Sequence, residues 1–424
     1  MPQEEDSEAP GALGPDALAT TPPVMIAARW RVVAALFVVT GCMAASVSAF
    51  GVFLPVLSET FGWSRGAISV ALSINLVWGG VAAFAIGGFA DRHGPRAVLV
   101  PTVLTGALGF ALTSRVEALW HFYLSYGLLV GLGMSSIYIL STTTVARWFE
   151  QGRGLALAIV FSGFNLGWLV GGPVAAFLIG HWGWRAAYLG LAALISGMGV
   201  PASFCVRYPA AARIVSGGLP AEADGPGTSM RASFRHALQD RRLWYLVAAW
   251  LLLGLVFMMV SVHSVAYARD RGLPLEQASL ALTAFGIGAA VGRLVAGVAA
   301  DRLGTAVTMP GCVVAQGVAL LVLLAAPPSW ALIPVLIVFG VGASGADNTF
   351  AKAVPEVFGL GALASIMSVV GLGWRCGAAL GPAAAGFLYD ATRSYTPAFG
   401  AGLLALAAGL ALFALGSTAR AGAR

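Results

Sequence analysis

Gly87-Gly88-Phe89-Ala90-Asp91-Arg92-His93-Gly94 closes one long apolar run, and Gly297-Val298-Ala299-Ala300-Asp301-Arg302-Leu303-Gly304 closes another. The two segments share a Gly-x-x-x-Asp-Arg-x-Gly frame, and their aspartates are 301 − 91 = 210 positions apart. Gly172-Pro173 and Gly381-Pro382, each inside a later apolar run, give 382 − 173 = 209. Two independent landmarks with nearly one offset imply a duplicated unit.

The runs around these segments are long enough to cross a bilayer, which takes about 20 apolar residues. In the first half they cover 31–56, 66–90, 97–114, 118–146, 154–180 and 184–206. In the second half they cover 243–267, 278–298, 306–326, 329–351, 362–388 and 396–416. The expected fold is an all-α membrane protein of twelve transmembrane helices in two pseudo-symmetric six-helix bundles. Gly172, Pro173, Gly381 and Pro382 are expected to bend their helices and let neighbours approach closely.

Composition agrees. The 424 residues are 58% hydrophobic and 10% charged, with a mean hydropathy of +0.85. A soluble core cannot hide that much apolar surface. The net charge of +6 comes from basic residues scattered through short loops, which points to topology and not to nucleic acid. Lys352 is the only lysine and lies in Phe350-Ala351-Lys352-Ala353, so the chain holds no P-loop and no ATPase engine. The four cysteines are isolated, and no metal cluster, Ser/His/Asp set or HExxH motif is present. Neither an enzyme nor a cofactor is expected; transport would run on gradients.

Sixteen basic residues fall in loops on the side of the N-terminus and six on the other side, which by the positive-inside rule places both termini in the cytoplasm of an inner (plasma) membrane protein. The expected divisions are a disordered acidic tail over 1–28, a bundle over 29–207, a cytoplasmic linker over 208–242, a second bundle over 243–418 and a short tail over 419–424.

The Gly-x-x-x-Asp-Arg-x-Gly loop between the second and third helices, echoed between the eighth and ninth, resembles the major facilitator superfamily across residues 29–418. The resemblance implies two bundles rocking about a central site, with Gly88, Asp91, Arg92, Gly94, Gly297, Asp301, Arg302 and Gly304 controlling the cytoplasmic face. The second copy departs where Thr305-Ala306 replaces Pro95-Arg96. Gly51-Val52-Phe53, Phe61-Gly62-Trp63-Ser64-Arg65-Gly66, Arg147-Trp148-Phe149 and Arg153-Gly154-Leu155-Ala156 resemble the bacterial monocarboxylate-transporter-like and oxalate:formate-exchanger-like branch. In those relatives a span-eight arginine ahead of the second motif binds the substrate carboxylate, which falls on Arg293, and a second cation in span eleven falls on Arg375. The lysine and the aspartate that animal monocarboxylate transporters carry are absent: the first span has no lysine, and position 289 is alanine.

The residues themselves single out the same pair. Under the repeat offsets Arg293 matches Ala83 and Arg375 matches Leu166, so neither arginine has a counterpart. An arginine near mid-bilayer costs about 2.5–3.5 kcal/mol on the insertion scale, and something must offset that. Asp347 is the one carboxylate within the runs, read as close to the cytoplasmic end of span ten. Arg293 either pairs with Asp347 or holds an anionic substrate, for which a guanidinium supplies bidentate donors. Tyr138 and His263 complete the candidate binding set, with His263 a titratable group for proton coupling. Asn75, Asn165, Gln316 and Asn348 read as interhelical hydrogen bonders.

The expected function is secondary active transport of a small organic anion, a mono- or dicarboxylate, by alternating access. The partners are the lipid bilayer and either protons or a counter-anion, with no nucleotide. A proton-coupled multidrug or metabolite exporter on the same fold is the nearer alternative, and a ligand sensor that does not transport is the more distant one.

Overall fold

A computed structural model describes residues 23–149, 152–209, 235–359 and 363–417. The first half comprises α1 Pro23–Ser48, α2 Phe50–Phe61, α3 Arg65–His93, α4 Pro95–Thr113, α5 Leu119–Trp148 and α6 Arg153–Cys205. The second comprises α7 Arg241–Asp270, α8 Leu275–Leu303, α9 Thr305–Leu324, α10 Leu332–Phe358, α11 Leu363–Thr392 and α12 Thr396–Ser417. Tyr123–Val130 in α5 and Ile195–Gly199 in α6 are wound as π-helix.

Among the described residues, and with α1 and α2 taken as one stretch over Ala27–Phe61, ten stretches are long and apolar enough to cross a membrane by length and composition. One of them, α6, has 53 residues and turns at Gly183 (φ 78°, ψ 165°). The turn folds the helix back on itself, because a Cβ on Gly190 would stand 3.2 Å from Leu178 Cδ1. The helix α11 adds a further 30 residues. Large apolar side chains such as Leu294, Leu404 and Trp330 remain more than 70% exposed, as lipid-facing positions would.

Two boundaries differ from the sequence reading. Residues 23–28, expected in the tail, already belong to α1. Pro23 suits the first turn, and Val24 to Ala28 contain nothing that breaks a helix. The second half starts at Arg241, where the Asp240 side chain accepts from the Arg242 N–H at 2.9 Å and caps α7. The rest of the expected N-terminal tail (1–22), most of the linker (210–234) and the 419–424 tail lie outside the described residues.

The duplication is written in the backbone. Gly94 (φ 86°, ψ 162°) and Gly304 (φ 80°, ψ 164°) end their helices in one conformation, a region that side chains with a Cβ essentially do not enter. The glycine of the loop motif is therefore a steric requirement in both copies. Close packing repeats as well. Gly163, Gly167 and Gly171 of α6 lie against the carbonyls of Phe37, Gly41 and Ala45 of α1, with no room for a Cβ. Gly373, Gly377 and Gly381 of α11 lie in the same way against Val247, Leu251 and Leu255 of α7. All six positions are displaced by 373 − 163 = 210. This register sets Gly381 opposite Gly171, which corrects the 209-residue match to Gly172 taken from the Gly-Pro pairs. Small residues one turn apart let helix backbones touch where no hydrophobic effect drives them together.

Candidate functional site

The two halves meet along three seams: α3 with α11, α6 with α8, and α2 with α7. Two of these lead to the arginines. On the first, Gly66 lies against Gly386, Ser73 Oγ donates to the Ala379 carbonyl, and a Cβ on Gly80 would stand 3.5 Å from Arg375 Nη1. On the second, a Cβ on Gly180 would stand 3.3 Å from Glu276, Thr283 Oγ1 donates to the Leu169 carbonyl at 3.1 Å, and Arg293 Nη1 donates to Asn165 Oδ1 at 3.2 Å. Leu275 to Arg293 is about 27 Å of helix and Thr392 to Arg375 about 26 Å, so the arginines hang at one depth.

The 210-residue register adds a relation that the sequence reading missed. It sets Asn165, and not Leu166, at the position matching Arg375. Arg293 against Asn165 on one seam is then the pseudo-symmetric image of Arg375 against α3 on the other. Each of these two seams carries one of the two mid-helix arginines, and both are exposed. Among the described residues neither forms an ion pair.

Asp347 forms no salt bridge with Arg293, although the two lie within electrostatic range of each other. The Trp250 Nε1–H donates to Asp347 Oδ1 at 3.1 Å, and Asn348 Nδ2 donates to the Arg293 backbone carbonyl at 3.2 Å. The helix α10 continues to Phe358, which puts Asp347 near its middle and not near its end as expected. Tyr138 is 62% exposed, and its ring lies 5.3 Å from that of Phe161. Phe161 and Asn165 are four residues apart on α6 and share a face. The structure therefore brings Tyr138 and Arg293 to one side of α6.

His263 goes elsewhere. It is fully buried, with Nε2 2.8 Å from the Pro382 carbonyl and Nδ1 2.9 Å from Tyr395 Oη. It belongs to a seal joining the ends of the halves on the side away from the Gly94 and Gly304 turns. There Arg65 donates to both oxygens of Asp270 at 2.7 Å and to Tyr395 Oη at 2.8 Å. Asp390 accepts the Arg65 and Gly66 backbone N–H groups at 2.9 and 2.8 Å, so a carboxylate of the second half caps α3 of the first. The Arg65 guanidinium lies 3.9 Å from the Tyr389 ring, and Arg269 pairs with Glu59 at 3.1 Å. The sequence reading placed Arg65 in a loop and missed its partners, which lie 205 to 330 residues away.

On the motif face, Lys352 Nζ pairs with Asp301 at 2.5 Å and donates to the Ala300 carbonyl at 2.8 Å. The second motif is thus tied to α10 of its own half. Arg92 and Arg302 are exposed; the surroundings of Gly88 and the Asp91 side chain fall outside what is described. A Cβ on Gly172 would stand 2.9 Å from Leu282 Cδ1, which puts Gly172 at the seam with α8, while Pro173 and Pro382 are interior to α6 and α11. A Cβ on Gly297 would meet Asn348 Nδ2 at 3.2 Å. Asn75 donates to the Tyr126 carbonyl across helices as expected, and Gln316 turns back to Cys312 of its own helix.

The sequence profile described as Major Facilitator Superfamily matches residues 36–277 and again 264–423. The chain belongs to the major facilitator superfamily. Human monocarboxylate transporter 11 is 27% identical over 380 residues, covering 87% of this chain and 79% of that protein. The gallate transporter of Pseudomonas putida is 28% identical over 385 residues, covering 82% of each. A structure of the nucleoside transporter NupG superposes with a TM-score of 0.76 at 14% identity, covering 92% of this chain and all of that one. A bacterial homologue of the lysosomal transporter Spinster, solved in an inward-facing and unoccupied conformation, gives 0.68 at 14% identity. These two likenesses establish the fold. As a superfamily member with many apolar helices, the chain is a multi-pass membrane protein.

Proposed function

We propose that this chain is a secondary active transporter of organic anions, with a carboxylate as the group it recognises. The observation that carries the reading is Arg293: a guanidinium deep in the bundle interface, exposed, with a neutral amide as its side-chain partner at 3.2 Å. A cation at that depth with no salt-bridged carboxylate among the described residues leaves charge for the cargo to neutralise. Arg375 is the second cationic contact, and Tyr138 with Phe161 offers an aromatic surface beside the first. The named functions of the relatives, monocarboxylate and gallate transport, support the same substrate class.

Counting α1 with α2 as one crossing and folded α6 as two gives twelve crossings. The positive-inside excess makes the Gly94 and Gly304 turns cytoplasmic, together with both termini. The seal then closes the outer face, and the arginines face inward. Alternating access follows if the seal opens while the motif face closes, with proton symport or anion exchange driving the return.

The test is uptake of labelled mono-, di- and aromatic carboxylates into proteoliposomes. Wild type is expected to accumulate one class, and Arg293→Ala to lose it at equal reconstitution. Uptake by Arg293→Ala at the wild-type rate would overturn the assignment. One observation favours a second reading, export of a cationic compound: Asp347 stands mid-helix with a single hydrogen bond, from Trp250. Loss of transport in Asp347→Asn with Arg293→Ala unaffected would select it.

A further inference from the structure

His263 sits in a hydrogen-bond chain whose donors and acceptors leave no choice of direction. The Pro382 carbonyl can only accept, so the proton of the neutral ring is on Nε2. Nδ1 is then bare and accepts from Tyr395. The Tyr395 oxygen in turn accepts from Arg65 Nη1, and the rest of that guanidinium is spread over Asp270. The chain Arg65 to Tyr395 to His263 to Pro382 uses each hydrogen once and joins α3 of one half to α7, α11 and the turn before α12 of the other. Burial pushes the Tyr395 phenol up, so its hydroxyl stays a donor.

We infer that His263 is a proton-binding site whose protonation releases the seal between the two halves. A proton on Nδ1 turns the acceptor of the Tyr395 hydrogen into a second donor. The hydroxyl oxygen then faces donors from both Arg65 and His263, and its own hydrogen loses the acceptor it had on the ring. The new imidazolium also stands near the Arg65 guanidinium. Both effects oppose the same contact, the one that holds α3 to the second half.

The surrounding charges do not cancel this. Arg65 on α3, Asp390 on α11 and Asp270 on α7 all lie within electrostatic range of the ring. The Asp270 carboxylate is held by Arg65, and the Asp390 carboxylate by two backbone N–H groups. From α3, Ser69 Oγ approaches Nε2 at 3.5 Å. The helix α2 brings Glu59, which is paired with Arg269, and α8 brings Glu276, whose carboxylate lies beside Gly180. Tyr389 and Tyr267 contribute rings packed on Tyr395.

A route for the proton is present. Tyr395 also lines a cavity of about 400 Å³ with Asp270, Tyr267, Tyr389 and Arg393 at the sealed end. A hydronium ion there can give its proton to the Tyr395 oxygen as the Tyr395 O–H proton passes to Nδ1. Two O–H bonds break, one O–H and one N–H bond form, and a neutral water remains. If the transport reading holds, each anion crosses with a proton that unlocks the outer face.

The test needs no substrate, so its failure is separable from that of the transport reading. Spin labels at Thr60 and Ala391, carried on introduced non-natural residues so that the native cysteines stay, report the distance across the seal in nanodiscs. Between about pH 8 and about pH 4, a window that reaches well below the ordinary histidine range, wild type is expected to gain a longer-distance population. His263→Gln keeps a donor for Pro382 and an acceptor for Tyr395 but cannot titrate, and it is expected to stay short at both pH values. Tyr395→Phe is expected to show the longer population at both. A wild-type pH response surviving in His263→Gln, or no response in wild type, would overturn the inference.

Discussion

Asn165, the side chain to which Arg293 donates across the bundle interface at 3.2 Å, stands 210 residues before Arg375. The two arginines are thus related through one pseudo-symmetric contact: one half supplies the amide, and the other half carries the cation at the same station. A duplicated scaffold has been given a mid-helix positive charge on each of these two seams, both from the second half, and that asymmetry separates this chain from a symmetric helical shell.

If both guanidiniums contact the cargo, their losses differ with its charge. Arg293→Ala should weaken any carboxylate, and Arg375→Ala should weaken a dicarboxylate more than a monocarboxylate. A charge-assisted hydrogen bond is worth about 1.5–3 kcal/mol, so each loss should be roughly tenfold to a hundredfold in apparent affinity. Concentration dependence of uptake in proteoliposomes checks it, and equal losses for both substrate charges would count against the second contact.

Tyr138 offers its ring more than its hydroxyl, since it packs on Phe161 and makes no side-chain hydrogen bond of its own among the described residues. Tyr138→Phe should be nearly silent. Tyr138→Ala should raise the KM for aromatic carboxylates by about two- to tenfold, the value of an aromatic pair at about 0.5–1.5 kcal/mol, and change aliphatic ones less. Competition of benzoate and acetate against one labelled substrate reads the difference.

The Arg65–Asp270 pair is partly buried, with side-chain exposures of 11% and 29%. Removing one partner leaves the other facing Tyr395 and Asp390. Asp270→Asn should therefore destabilise the sealed state by about 1–3 kcal/mol, below the range for a fully buried pair. The expected signature is a lower Tm in nanodiscs together with a longer Thr60–Ala391 distance at neutral pH. An unchanged Tm and distance would mean that Arg65 contributes little to closure.

Most of the architecture was legible in the sequence, because a loop motif that demands glycine at one backbone position appears twice at one offset. Arg293 and Arg375 were legible as cations with no repeat counterpart. The partners were not. Asn165 was hidden by a one-residue slip, since the Gly-Pro landmarks repeat at 209 while the glycines that touch α1 and α7 repeat at 210. The seal was hidden because Arg65, Asp270, Asp390 and Tyr395 are ordinary loop-end residues until four helix ends converge. His263 looked like a pathway group by its type and span; its hydrogen bonds to Tyr395 and Pro382 tie it to the seal instead.

The paired glycine rows carry a prediction about the duplication itself. Gly167→Val and Gly377→Val each force a side chain against a carbonyl of the neighbouring helix. Each should cost about 1–3 kcal/mol, as overpacking does, and by similar amounts, since the contacts are images of one another. Thermal unfolding of the two variants side by side tests it; a large loss in one and none in the other would show that the halves do not share the device.

The central claim, that two guanidiniums with no salt bridge among the described residues await an anion, is tested most directly by ligand-induced thermal stabilisation of purified protein. Wild type, Arg293→Ala, Arg375→Ala and the double variant are screened against small mono-, di- and aromatic carboxylates and against amines of matching size. The expected result is a rise in Tm for wild type with at least one carboxylate, reduced in each single variant, absent in the double, and never produced by the amines. Stabilisation by an amine, or a carboxylate response that survives in the double variant, would contradict it.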